Sequence, residues 1–169
     1  MGPRDESFDY APHVPQTTWA GLRADVSAAV AWLRADRGTR AMFSVGFCFG
    51  GRLAFALASR AELELDGVIG FYGVPIGAGR NDVPAPVDLA AEMASPVLGI
   101  FGGTDAAIPP DAIEAFDGAL TGAGVEHSLI TYPKAPHSFF DRKQAQFVDA
   151  SAAAWGELLD FIGRHTPAS

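Results

Sequence analysis

At 169 residues the chain has the length of one domain. Its 49% hydrophobic and 19% charged residues argue against a disordered segment. A formal net charge of −8 is a poor match for nucleic acid or an anionic membrane, which are bound by basic patches.

One cysteine cannot close an internal disulfide, and no CxxC or Cys/His cluster suggests a metal site. The opening residues, MGPRDESFDY, lack the apolar stretch of a secretion signal, and no apolar run is long enough to span a membrane. A reducing cytoplasm is the expected location, with no membrane partner.

Residues 1–16 are polar, contain three prolines, and are expected to form an irregular lead-in. Trp19, Leu22, Val26, Val30 and Leu33 then recur at helical spacing, so a helix is predicted over about 17–36, with Gly38 just past its end. AMFSVGF (41–47) is a short apolar run that predicts a buried strand. GGRLAFALASR follows as a helix apolar nearly all round, hence buried. GVIGFYG (67–73) predicts a second strand, and 74–95 a long loop or one with a short helix. PVLGIFG (96–102) is the third strand. Pro110 suits the first turn of the next helix, whose core face carries Ile113, Phe116 and Leu120. VEHSLITYP (125–133) is the fourth strand, and a last helix covers about 144–163.

Strands and helices alternate throughout. The expected fold is α/β: a mostly parallel sheet with helices on both faces, in a single domain over 1–169. Ligands of such sheets bind at the carboxyl ends of the strands.

Three residues fall at those ends. Cys48 follows the first strand, Asp105 the third and His137 the fourth, which is the chain order of an α/β-hydrolase triad. Gly46-Phe47-Cys48-Phe49-Gly50 has the form of a nucleophile elbow, where side chains at the two flanking glycine positions are expected to clash with the neighbouring strand and helix. Such a turn sets the sulfur at a helix N-terminus, which favours thiolate. It also aims the Phe49 backbone N–H at a developing oxyanion.

Each residue has a plainer explanation when taken alone. A lone cysteine in an apolar run is most often a small core hydrophobe. Asp105 would cap a turn or a helix start, and His137 would be a solvated loop histidine. It is the three together, in order, that favour nucleophile, acid and base. His13, His127 and His165 have no metal-ligand spacing, and Asp111 and Asp141 are expected to be surface or capping carboxylates.

VGFCFGGRLAF, FGGTDAAIPPD and YPKAPHSFFDR resemble the three triad blocks of the dienelactone hydrolase family, and the likeness runs from about Asp9 to the end. The resemblance implies an α/β-hydrolase fold and a cofactor-free ester or lactone hydrolase of the carboxymethylenebutenolidase type, acting on a small molecule through an acyl-thioenzyme. It matches Cys48 to the nucleophile, Asp105 to the acid and His137 to the base.

Relatives of this family are usually longer. Several strands and a helix precede the region matching residues 1–36, and they supply a second oxyanion donor and part of the pocket. Without them, 41–47 is expected to be an unpaired sheet edge. Either the true start lies upstream of Met1, or the chain pairs its edge in a homodimer. A catalytically silent homologue serving as a structural or interaction module is the alternative function, and a redox thiol a third. Family arginines hold a substrate carboxylate, so Arg142 is a candidate contact, although its spacing from His137 differs. Arg52 is expected to face a ligand or, ahead of that, solvent or a surface ion pair. Tyr72, Phe139 and Phe140 are candidates for the pocket wall or for plain core.

Overall fold

A computed structural model describes Asp9 and residues 12–168. Much of the lead-in expected over 1–16 lies outside the described residues; Val14–Gln16 forms a 3-10 turn. The first helix, α1, spans Trp19–Arg37. The Thr18 side chain caps it by accepting from the Gly21 N–H at 3.1 Å. Gly38 ends it in the left-handed region, at φ 59°. Its apolar stripe is used sparingly: Val30 is buried, Trp19, Val26 and Leu33 pack against the core, and Trp32 is exposed.

Four strands follow: β1 (Phe43–Phe47), β2 (Gly67–Phe71), β3 (Val97–Gly102) and β4 (His127–Tyr132). They form one sheet in the order β1-β2-β3-β4, and every pairing is parallel. Parallel strands need crossovers, which here include α2 (Phe49–Leu57) after β1 and α3 (Pro110–Ala123) after β3. The last helix, α4, spans Val148–His165.

Gly67 and Gly70 show that both faces are covered. Three residues apart on β2, they point to opposite sides of the sheet. A Cβ on Gly67 would stand 2.5 Å from the Phe161 ring of α4, and one on Gly70 would stand 2.3 Å from the Phe55 ring of α2. All five residues of β2 and all six of β3 are buried. The all-round apolar α2 is buried as its sequence predicts.

The predicted strands and helices are all present, with ends moved by a few residues. Residues 74–95 hold two 3-10 segments, Arg80–Asp82 and Pro86–Glu92. The first is tied to the start of the chain, because Asn81 Nδ2 donates to Val14 O and Thr17 O while the Trp19 N–H donates to Asp82 Oδ1.

The outer edge of β1 has no strand partner among the described residues. Val45 and Phe47 are 43% and 39% exposed, so β1 is less buried than its sequence predicts. Phe47 stacks on Phe140, which stacks on Trp155 of α4, so the exposed apolar surface continues from strand to helix.

Candidate active site

β1 ends at Phe47 and α2 begins at Phe49, so one residue makes the whole turn. That residue is Cys48, at φ 54° and ψ −116°. A non-glycine residue keeps such a backbone only where its surroundings impose it. Here the Cys48 N–H donates to Phe71 O of β2 at 2.9 Å, and Cys48 O accepts from the Gly51 and Arg52 N–H groups. The thiol is exposed at the N-cap of α2. Phe49 opens that helix, where a backbone N–H has no acceptor within the helix.

The two flanking glycines are not equivalent. A Cβ on Gly46 would lie 1.9 Å from Gly50 O, but one on Gly50 would meet nothing within 4 Å. The clash expected at Gly50 is instead found at Gly51, whose Cβ would lie 2.6 Å from Phe71 O. The tight approach to β2 is therefore made one residue later than the G-x-C-x-G pattern suggests.

Asp105 follows β3 and is buried. Its Oδ1 accepts from the Ala107 N–H at 2.9 Å, and its Oδ2 accepts from His137 Nδ1 at 2.6 Å. Both carboxylate oxygens are thus engaged, and the bond fixes the tautomer of His137 that carries its proton on Nδ1. His137 lies in the loop after β4. Gly102 and Gly103 let that loop come close, since a Cβ on either would strike the backbone of Pro133 or Ala135.

Cys48, Phe49 and His137 border one cavity of about 350 Å³, which Arg52, Gly79 and Arg80 also line. A larger cavity of about 520 Å³ beside α4 is lined by Phe140, Val148 and Trp155, with Ser151 as its one hydroxyl, whose Oγ donates to Phe139 O, and by no His, Cys or charged residue.

Of the remaining candidates, Arg52 departs furthest from expectation. It is buried rather than solvated or paired at the surface. Its Nη1 donates to Val74 O and Ile76 O, and its Nη2 to Gly77 O and Val83 O, at 2.7–3.1 Å. The guanidinium thereby holds the cavity wall that follows β2. Burial pushes its pKa below the ordinary arginine value, against the opposing field of Asp88.

Phe139 is a second correction: it is fully buried between Tyr72 and Tyr132 and belongs to the core, not to the cavity wall. Arg142 is exposed beside Asp141 and is not among the residues bordering the cavity. Tyr72 is buried against the His137 ring, with its hydroxyl donating to Asp141 Oδ1 at 2.8 Å. Burial, with Asp141 close by, pushes the phenol pKa well up.

Asp141, expected as a surface or capping carboxylate, is therefore also the acceptor of a buried phenol. Arg80 at the cavity was not foreseen, and its sequence context, GRND, carries no signal for it.

The dienelactone hydrolase family model matches residues 5–166. A provisionally named carboxymethylenebutenolidase from Yersinia pestis is 33% identical over 129 residues, covering 75% of this chain and 48% of that protein. Another from Saccharolobus solfataricus is 36% identical over 133 residues, covering 76% and 46%. A solved structure of a provisionally assigned dienelactone hydrolase from Klebsiella pneumoniae superposes with a TM-score of 0.78 at 29% identity. The match covers 85% of this chain and 61% of that one. The chain spans about half the length of the curated relatives it matches.

Proposed function

Because the chain belongs to the dienelactone hydrolase family, we propose that it hydrolyses a small ester or lactone, with Cys48 as nucleophile, His137 as base and Asp105 as the acid that orients it. The observation that carries this assignment is the 2.6 Å bond from His137 Nδ1 to a buried Asp105, made by a histidine that shares a cavity with Cys48.

The chemistry follows from that bond. With Nδ1–H donated to Asp105, the lone pair of His137 is on Nε2, which takes the thiol proton. The thiolate attacks the carbonyl carbon, and the new oxyanion receives the Phe49 N–H at the start of α2, where the helix dipole also favours negative charge. The intermediate collapses, the C–O bond breaks, and Nε2–H protonates the leaving oxygen. For a lactone that oxygen stays attached to the acyl group. Water, deprotonated by Nε2, then attacks the thioester. The carboxylic acid leaves and the sulfur recovers its proton. None of these steps draws on a metal or a cofactor. A cavity of about 350 Å³ suits a small molecule. A thiol nucleophile suits a reducing compartment, which supports a cytoplasmic location; among the described residues no helix is long and apolar enough to cross a membrane.

The test is mass spectrometry of the purified chain after brief mixing with p-nitrophenyl acetate, beside Cys48→Ala. An acetyl group on Cys48, with turnover abolished in the variant, is the expected result. Acetylation elsewhere, or turnover that survives in Cys48→Ala, would remove Cys48 from the mechanism.

A further inference from the structure

Tyr72 stands between the two halves of the site. It follows Phe71, whose carbonyl holds the Cys48 N–H, and its own N–H donates to Ile100 O of β3 at 2.7 Å. Its backbone is in the left-handed region, at φ 40°. That turn sends a fully buried ring against His137, with ring centroids 4.9 Å apart. The hydroxyl reaches past the imidazole to Asp141, four residues further along the same loop.

Between those two contacts the loop reverses. Ser138 takes φ 59°, and its carbonyl accepts from the Lys143 N–H at 3.1 Å. Phe139 is sunk in the core, and its carbonyl accepts from Ser151 Oγ at 3.2 Å. The loop is thus anchored at its centre, and Tyr72 braces it at both flanks. A buried phenol needs an acceptor. The acceptor used is an exposed carboxylate on the loop that carries the histidine.

We propose that Tyr72 and Asp141 are a positioning pair, in which the hydroxyl–carboxylate bond holds the 137–141 loop against the Tyr72 ring and so aims the His137 imidazole along the line set by Asp105. This rests on His137 being the base of the proposed reaction. The charged and titratable groups around the imidazole are Asp105 and Tyr72 in contact, Cys48, Arg52 and Arg80 at the cavity, and Asp141 with its neighbour Arg142 beyond the phenol.

The test is the rate of Cys48 alkylation by iodoacetamide as a function of pH, in the full chain and its variants. It reads thiolate and needs no known substrate. Asp141→Ala is the first variant, because the residue is exposed and its loss leaves the core intact. Removing its negative charge alone would favour thiolate and speed alkylation. Loss of aim weakens the imidazole's hold on the thiol proton and slows it, so the sign of the change separates the two effects.

The expected result is alkylation slowed about tenfold near neutral pH. Asp141→Asn keeps an acceptor for the phenol and should restore the rate, while Tyr72→Phe should behave as Asp141→Ala does. Thermal melts within a few degrees of the parent confirm that the fold is retained. A parental or faster profile in Asp141→Ala overturns the positioning role. His137→Ala is the separate control: if it too leaves the profile unchanged, the assignment of His137 as base has failed, and the positioning role falls with it.

Discussion

Gly46 lies against the backbone of Gly50, so close that a Cβ on Gly46 would stand 1.9 Å from the Gly50 carbonyl oxygen. The atom in the way is backbone and cannot rotate aside. Gly46→Ala is therefore expected to destabilise the chain by about 3 kcal/mol, at the upper end for overpacking. Gly50→Ala meets open space and is expected to be neutral or to stabilise by about 0.4–1 kcal/mol through the unfolded state. Urea melts of the two variants measure the contrast; equal losses would show that the elbow is not packed this way.

Asp105→Asn tests the acid without emptying its place. Asparagine can still bridge to the Ala107 N–H, but its amide no longer selects the tautomer with the proton on Nδ1. The turnover of p-nitrophenyl acetate is expected to fall about 10³–10⁴-fold with little change in melting temperature. A fall of less than tenfold would mean that Asp105 holds the loop and does little for the histidine.

Arg52 is expected to matter first for the loop it holds. Arg52→Met keeps a long unbranched side chain but loses the charge and the four N–H groups that hold the loop, leaving four loop carbonyls to find other partners. The expected cost is about 3 kcal/mol, and cleavage by trypsin or thermolysin should appear within 74–83. A variant that resists protease as the parent does would show that the loop is held by its other contacts.

Asp141 gives a dependence on acid. Burial raises its pKa, but hydrogen bonds from the Arg142 backbone, the Tyr72 hydroxyl and its own backbone outweigh that and leave it below the ordinary carboxylate value. A pKa lower in the folded than in the unfolded chain adds stability that is present above the unfolded value, about 3.9, and is lost as pH falls through the folded one. Stability measured between pH 5 and pH 2 should therefore decline less steeply in Asp141→Ala than in the parent. Parallel curves would sever Asp141 from the acid limb.

The free edge of β1 leads to a prediction about assembly. That edge has no strand partner among the described residues, and with Val45 and Phe47 exposed beside it, its backbone groups favour pairing with the same edge of a second copy. The 169-residue chain is expected to self-associate at tens of micromolar in sedimentation experiments, and Val45→Lys to reverse this. A parent that sediments as a monomer at that concentration counts against edge pairing.

Elements with a strong local signature were legible in the sequence. β2 and β3 are buried on both faces and read as continuous apolar runs, and Gly38 and Pro110 mark helix ends in the sequence. The Asp105–His137 bond was legible because both residues follow strands of a parallel sheet, whose carboxyl ends lie together. Arg52 was not, because an arginine in the first turn of a helix looks the same in sequence whether it meets water or carbonyls 22 to 31 residues away. Phe139 stayed open between pocket wall and core for a related reason: Phe139 and Phe140 are adjacent and look alike in sequence, yet Phe139 is fully buried and Phe140 only partly. The role of Asp141 depends on Tyr72, which is 69 residues earlier in the chain.

The all-parallel sheet has a consequence for how the chain reaches its native state. No two neighbouring strands are joined by a hairpin, so each pairing must wait for a crossover of roughly twenty residues or more to close. Loop-closure entropy comes before the contacts that repay it, and such topologies fold slowly for their size. Cys48, Asp105 and His137 follow three different strands of that sheet, β1, β3 and β4. A chain with only one or two crossovers closed holds a thiol with no histidine beside it, so nucleophilic reactivity should emerge only at the last kinetic phase of refolding.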